Sequence, residues 1–68
     1  MKVTLNGEPR ELGQDASVVD AIAASGAEPG GRGVAVAVDG EVVPRGEWDA
    51  FELRDGQSIE VLQAVQGG

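Results

Sequence analysis

The sequence lacks cysteine, histidine and tyrosine altogether, and each absence removes a class of function. Without cysteine there is no disulfide, and no thiol can serve as a nucleophile, a redox centre or a metal ligand. Without histidine the chain lacks the usual general base and the commonest metal ligand, so we expect no metal site. Carboxylates and the single lysine, Lys2, remain. An enzyme could still use these groups, but the catalytic inventory is nearly bare, and we expect no catalytic residues in this chain.

Basic residues are also scarce, with five against twelve acidic residues and a formal net charge of −7. This balance disfavours nucleic acid, because binding a phosphate backbone requires a positive surface. It favours attraction to a basic protein surface. No apolar run approaches membrane-spanning length, and Met1 and Lys2 begin a strand rather than a signal peptide. We expect no membrane contact and a cytoplasmic location.

The 68 residues suffice for one small domain with a thin core and no deep pocket. We expect this domain over residues 1–65, a flexible tail over residues 66–68, and a monomer when the protein is alone.

Met1, Val3 and Leu5 alternate with polar residues, which predicts a half-buried strand. Asn6-Gly7 is a strong hairpin-turn signal. The chain returns through Glu8 to Leu12, where Pro9 favours a sheet edge.

Ser17 and Asp20 resemble a capping box, which predicts a helix from Val18 to Ser25 that stops at Gly26. The glycine-rich segment 27–33 is a connection rather than a phosphate-binding loop, because no Gly-Lys-Ser/Thr follows it and no strand precedes it.

The second half of the chain reads as strands and turns. Val34 to Asp39 is the clearest strand, and Asp39-Gly40 turns it into a short strand over residues 41–43 that Pro44 ends. For residues 47–51 we expect one irregular or 3₁₀ turn. We expect Trp48 to cover the core as a lid rather than to stack on a ligand. A closing strand is expected from Ser58 to Val65.

The order β-β-α-β-β-β predicts an α+β fold. If the first and last strands are adjacent, it is the β-grasp (ubiquitin-like) arrangement, a mixed sheet of four to five strands packed on one helix. The inward positions of the strands and the helix stripe predict the core: Val3, Leu5, Ile22, Val36, Val38, Ile59 and Val61.

The chain ends on Gly67-Gly68, directly after a strand. Its α-carboxylate therefore lies on a tether without side chains, which suits delivery through a narrow channel into another protein's active site. The alternative is a frayed tail without a role.

Just before this tail, strand alternation sends Glu60, Leu62 and Ala64 outward, and Ala35 and Ala37 onto the same face. A shallow apolar patch ringed by acids is typical of a transient docking surface, although a single exposed leucine is also common on protein surfaces.

Several segments together resemble one family. They are Val36-Ala-Val-Asp-Gly-Glu-Val-Val-Pro-Arg-Gly-Glu-Trp48, Leu53-Arg-Asp-Gly-Gln57, Ile59-Glu-Val61, Asn6-Gly7 and the Gly-Gly end. Over essentially its whole length the chain resembles the ThiS-type sulfur carriers of thiamine biosynthesis, which are ubiquitin-like β-grasp proteins.

The resemblance implies group transfer on the terminal carboxylate of Gly68. A ThiF-like adenylyltransferase would use ATP to adenylate Gly68, and persulfide sulfur from a donor such as a cysteine desulfurase would replace AMP to give a thiocarboxylate. A ThiG-like thiazole synthase would take the sulfur for the thiazole ring. Gln66 and Gly67 would form the tail that enters the partner site, docking would occur through the sheet face, and the carrier itself would bind no cofactor.

Two alternatives remain at this point. One is a sulfur carrier of molybdopterin or cysteine biosynthesis, which shares the fold and the chemistry. The other is a β-grasp interaction module that carries nothing, in which the glycines are only a tail.

Overall fold

The computed structural model describes residues 1–28, 30 and 32–64. Within them the chain forms β1 (Lys2–Leu5), β2 (Glu8–Glu11), α1 (Val18–Ala24), β3 (Val34–Val38), β4 (Glu41–Val42), a 3₁₀ helix (Arg45–Glu47) and β5 (Ser58–Gln63). The order of strands and helix is the one that the sequence predicts. No helix in this part of the chain is long and apolar enough to span a membrane.

The strands form one five-stranded sheet in the order β2-β1-β5-β3-β4. β1 and β5 pair in parallel in its middle, with Thr4 opposite Ser58 and Leu5 opposite Ile59. The other neighbouring strands pair antiparallel. Because the first and last strands are adjacent and the helix contributes to the same core as the sheet, the predicted α+β, β-grasp fold is confirmed.

Two tight turns set the register of the two hairpins. Asn6 and Gly7 have φ angles of 50° and 82°, and Asp39 and Gly40 have 50° and 86°. Positive φ at both central residues defines the turn type whose twist matches that of paired strands. Both predicted hairpin turns are therefore confirmed.

Pro9 lies in β2, at one edge of the sheet, opposite Thr4. Leu5 and Glu8 flank the turn and exchange backbone hydrogen bonds, so the backbone of the next residue, Pro9, faces away from β1. The missing N–H of proline therefore removes no bond from the ladder, as expected for an edge strand.

The helix begins as predicted and ends one residue earlier, at Ala24. At its start the Asp20 carboxylate accepts a hydrogen bond from the Ser17 N–H at 2.8 Å. At its end the Ser25 hydroxyl donates to the Ile22 carbonyl at 2.6 Å, so Ser25 caps the helix rather than continuing it. Gly26 follows with a φ of 93°, which suits the expected stop. The Arg10 guanidinium donates to the Ala24 carbonyl at 3.1 Å and satisfies a carbonyl that the helix leaves open.

All seven residues predicted for the core are buried. The structure adds further buried apolar residues that the sequence did not assign to this set: Ala16, Val18, Ala21, Val43, Trp48 and Leu53. The helix, the strands β1, β3 and β5, and the segment after β4 thus contribute to one hydrophobic cluster.

Trp48 is 4% exposed, and its indole N–H donates to the Val43 carbonyl at 2.9 Å. The predicted role as a lid on the core is confirmed. The turn predicted over residues 47–51 is present, closed on the Glu47 carbonyl by the Ala50 N–H at 3.2 Å and the Phe51 N–H at 2.9 Å. The 3₁₀ helix itself lies earlier, at Arg45–Glu47, where the Glu47 N–H donates to the Pro44 carbonyl at 2.9 Å, since the fixed φ of proline favours starting a turn there.

β5 is assigned to Ser58–Gln63 and not to the expected end at Val65, which lies outside the described residues. One further backbone bond follows the strand, from the Ala64 N–H to the Gly33 carbonyl at 2.9 Å. Gly33 has a φ of 73°, and a Cβ atom added to it would lie 2.9 Å from the Ala64 Cβ. Glycine is thus required there both by the backbone angle and by the close approach of Ala64.

Leu5→Ala should lower the free energy of unfolding by about 2–4 kcal/mol and Val61→Ala by somewhat less, because each leaves a cavity in a thin core. Gln63→Ala, on the exposed surface of β5, is the control and should change stability by less than about 0.5 kcal/mol. Urea denaturation measures all three. An unchanged midpoint for both core variants would mean that the observed strand register is wrong.

Gly33→Ala should destabilise the protein more than Gly40→Ala. Gly40 also has a positive φ, of 86°, but no atom lies within 4 Å of a Cβ added there. Gly40→Ala therefore measures the backbone strain alone, about 1–2 kcal/mol, and the excess loss in Gly33→Ala measures the contact with Ala64. Equal losses in thermal or urea denaturation would show that this contact is not tight.

Candidate functional site

The second half of β5 presents alternate residues to solvent, on the side of the sheet away from the helix. Ile59 and Val61 are buried, whereas Glu60, Leu62 and Ala64 are exposed. Leu62 is 67% exposed, although it is a large aliphatic residue in a central strand. The placement expected for these three side chains is the one observed.

The neighbouring strand β3 adds small residues to the same face. Ala35 lies opposite Leu62 and Ala37 lies opposite Glu60 in the antiparallel register. Ala35 is exposed and Ala37 is half-buried. Because neither alanine projects far from the backbone, the surface around Leu62 is flat.

Val42 also belongs to this face, in addition to the residues expected there. It pairs with Ala37 and is 75% exposed. The signal was present in the sequence: a two-residue turn at Asp39-Gly40 places Val38 opposite Glu41 and therefore Ala37 opposite Val42. We call this surface the outer sheet face: Ala35, Ala37, Val42, Glu60, Leu62 and Ala64.

The outer sheet face contains both large apolar side chains that are strongly exposed in the described part of the chain, Val42 and Leu62. Glu60 lies in β5 beside Ala37, so a carboxylate interrupts the apolar area. The whole chain carries a formal net charge of −7, which favours association with basic surfaces. An apolar, partly acidic surface of this kind is suited to a partner that offers apolar and basic groups.

The C-terminal segment continues directly from this face. Leu62 and Ala64 lie on the outer sheet face and also in the last stretch of chain that the structure describes. The predicted tail residues Gln66, Gly67 and Gly68 lie outside the described residues. A partner that covers Leu62 and Ala64 therefore contacts the chain shortly before its C-terminus.

Two open grooves are also present; both involve Phe51 and Gln57, and the smaller one borders the outer sheet face at Val42. The larger, about 460 Å³, is lined by residues 50–54 and Gln57, and the smaller, about 210 Å³, lies between β4 and the 3₁₀ helix. The described residues contain no buried polar or charged side chain. They also contain no group of three acidic side chains that could hold a metal ion. The functional feature that stands out in this part of the chain is therefore the outer sheet face.

Comparison with known proteins identifies the family. The model of the ThiS family matches residues 3–68. A crystal structure of the thiamine biosynthesis protein ThiS from Geobacter metallireducens is 30% identical, with 100% of both chains covered and a TM-score of 0.78. An NMR structure of a thiamine biosynthesis protein from the same organism is 29% identical, covers 100% of this chain and 88% of that chain, and has a TM-score of 0.76. Among curated protein sequences there is no significant match. The match over residues 3–68 shows that this chain belongs to the ThiS family.

Proposed function

We propose that this protein is a sulfur carrier of thiamine biosynthesis and that it is the substrate of its partner enzymes rather than an enzyme. The observation that carries the proposal is the extent of the family match, which runs through the Gly-Gly end to residue 68. The similar solved structures are thiamine biosynthesis proteins. This favours the thiamine branch over carriers of molybdopterin or cysteine biosynthesis and over an interaction module without a cargo.

The proposed chemistry takes place on the terminal carboxylate of Gly68. A carboxylate oxygen attacks the α-phosphorus of ATP, pyrophosphate leaves, and an acyl-adenylate forms. The terminal sulfur of a persulfide then attacks the acyl carbon and AMP leaves, which gives an acyl disulfide. A thiol then attacks the donor's sulfur in this acyl disulfide, which forms a new disulfide between the thiol and the donor and releases the thiocarboxylate on Gly68. Activation as an adenylate divides a difficult substitution into easier steps.

The partners in this proposal are a ThiF-like adenylyltransferase, a sulfur donor such as a cysteine desulfurase, and a ThiG-like thiazole synthase that receives the sulfur. ATP is a substrate of the adenylyltransferase, so the carrier itself needs no bound cofactor. We place these steps in the cytoplasm.

We further propose that the outer sheet face docks on the adenylyltransferase while the tail enters its active site. Leu62 and Val42 would supply the apolar area that association removes from water. The net charge of −7 would accelerate association with a basic surface. Since Ala64 belongs to this face and lies shortly before the tail of residues 66–68, docking would place Gln66 and Gly67 at the mouth of the active site.

Deleting Gly68 should abolish adenylation while the protein remains folded, because the core is formed by residues up to Val61. Gly67→Val should retain the carboxylate but impair the reaction, since a branched side chain would clash in a narrow channel. The measurement is intact mass after incubation with ATP, the adenylyltransferase and a persulfide donor. The wild type should gain about 16 Da as oxygen is replaced by sulfur in the covalent product. A chain without Gly68 that acquires sulfur at the wild-type rate would contradict the proposal.

Leu62→Glu should weaken binding to the adenylyltransferase by at least about tenfold, which corresponds to a loss of 1.4 kcal/mol, without unfolding the domain. Gln63→Glu is the matched control, because it adds the same charge at the next position of β5, where alternation directs the side chain away from the outer sheet face. Raised salt should slow the association of the wild type. Titration calorimetry and stopped-flow association measure these effects. Wild-type affinity in Leu62→Glu would place the interface elsewhere on the molecule.

A further inference from the structure

One side-chain hydrogen bond joins the turn after β1 to the second half of β5. Asn6 Oδ1 accepts the Val61 N–H at 2.8 Å. Two backbone bonds precede it along the same pair of strands: the Thr4 N–H donates to the Gln57 carbonyl at 2.9 Å, and the Asn6 N–H donates to the Ile59 carbonyl at 2.8 Å. The Asn6 side chain therefore continues the parallel ladder past Leu5, the last residue of β1.

The backbone angle of Asn6 explains why a side chain is needed there. In a regular parallel ladder, a residue that donates to Ile59 would accept from Val61 through its own carbonyl. Asn6 has a φ of 50°, because it begins the turn into β2, and its main chain leaves the ladder at this point. The side-chain oxygen takes the place of the carbonyl. Asparagine combines tolerance of a positive φ with an acceptor of suitable length.

The Asn6 bond lies where β5 passes from the sheet towards the C-terminus. Beyond Val61, the described contacts of the strand are with β3, in the pairs of Leu62 with Ala35 and Gln63 with Val34, and then with Gly33 through Ala64. On the β1 side, the bond from Val61 to Asn6 is the last one within the described residues. Without it, the segment that leads to the tail would be held from one side only.

We propose that Asn6 is a positioning residue for the C-terminal carboxylate. By holding Val61 on the β1 side, it keeps residues 62–64 in register with β3, and with them the end of the outer sheet face from which the chain continues to its C-terminus. This inference rests on the proposed carrier function. A segment that is already ordered up to Ala64 loses less conformational freedom when the partner binds the outer sheet face and the tail at once, so the reaction proceeds faster.

The chain offers a matched control for this role. Asp39 also begins a two-residue turn with a φ of 50°. Its carboxylate accepts the Ser58 N–H at 2.9 Å and the Gln57 amide at 3.3 Å, at the opposite end of β5. Asn6→Gly and Asp39→Gly both keep a turn that permits positive φ, and both remove a side-chain acceptor from β5. Only Asn6→Gly does so near the tail. Asn6→Asp retains an acceptor at the tail end and is the conservative variant.

The experiment compares these three full-length variants with the wild type at a temperature where all are folded. We expect Asn6→Gly to lower the rate of adenylation, at saturating ATP and adenylyltransferase, by about two- to tenfold, the factor that corresponds to one net hydrogen bond. Asp39→Gly and Asn6→Asp should react at close to the wild-type rate. Amide hydrogen exchange should accelerate at residues 61–64 in Asn6→Gly and stay slow there in the other two variants.

The outcomes separate this inference from the function on which it rests. A wild type that is not adenylated overturns the proposed function, and the positioning role with it. A wild type that reacts normally, together with an Asn6→Gly variant that reacts equally fast, overturns the positioning role alone. The same holds if Asp39→Gly slows the reaction as much as Asn6→Gly, because a general loss of stability would then account for both.

Discussion

The parallel pairing of β1 with β5 places the N-terminal strand and the C-terminal strand side by side in the middle of the sheet. The regular part of this pairing is short, with Thr4 opposite Ser58 and Leu5 opposite Ile59. Side-chain oxygens of two turn residues, Asp55 and Asn6, add a hydrogen bond to this pairing at each of its ends. The Lys2 N–H donates to the Asp55 carboxylate at 2.8 Å at one end, and Asn6 accepts from Val61 at the other. The helix and the β3–β4 hairpin lie between these strands in sequence, so their positions depend on this closure.

The single helix covers one face of the sheet, and this has a consequence for function. A chain of 68 residues buries only about 60% of its unfolded surface, so it has no element to spare for the second face. Small alanines and two exposed aliphatic side chains occupy that face, near the end of β5. Strand β5 supplies the buried residues Ile59 and Val61 and also the exposed Leu62. The register that buries the first two residues therefore places Leu62 on the surface proposed for docking.

The segment between β4 and β5 shows how contacts distant in sequence complete a thin core. The Leu53 N–H donates to the Ala16 carbonyl at 2.9 Å, and the Val18 N–H donates to the Phe51 carbonyl at 3.1 Å. These bonds hold residues 51–53 against the start of the helix and bury Leu53 and Ala16. Neither residue lies in a periodic pattern, so nothing in the local sequence indicated their burial.

The sequence by itself determined the elements whose signals are local. Alternation assigned the inward residues of β1, β3 and β5, the Asn-Gly and Asp-Gly pairs gave both hairpin turns, and the Gly-Gly end with the adjoining segments indicated the family. Only the tertiary structure decided which groups meet across the fold. The burial of Leu53 and the bond from Val61 to Asn6 each depend on strands or segments that are brought together after the chain has closed. Such contacts join residues far apart in sequence, and no local periodicity or turn signal records them.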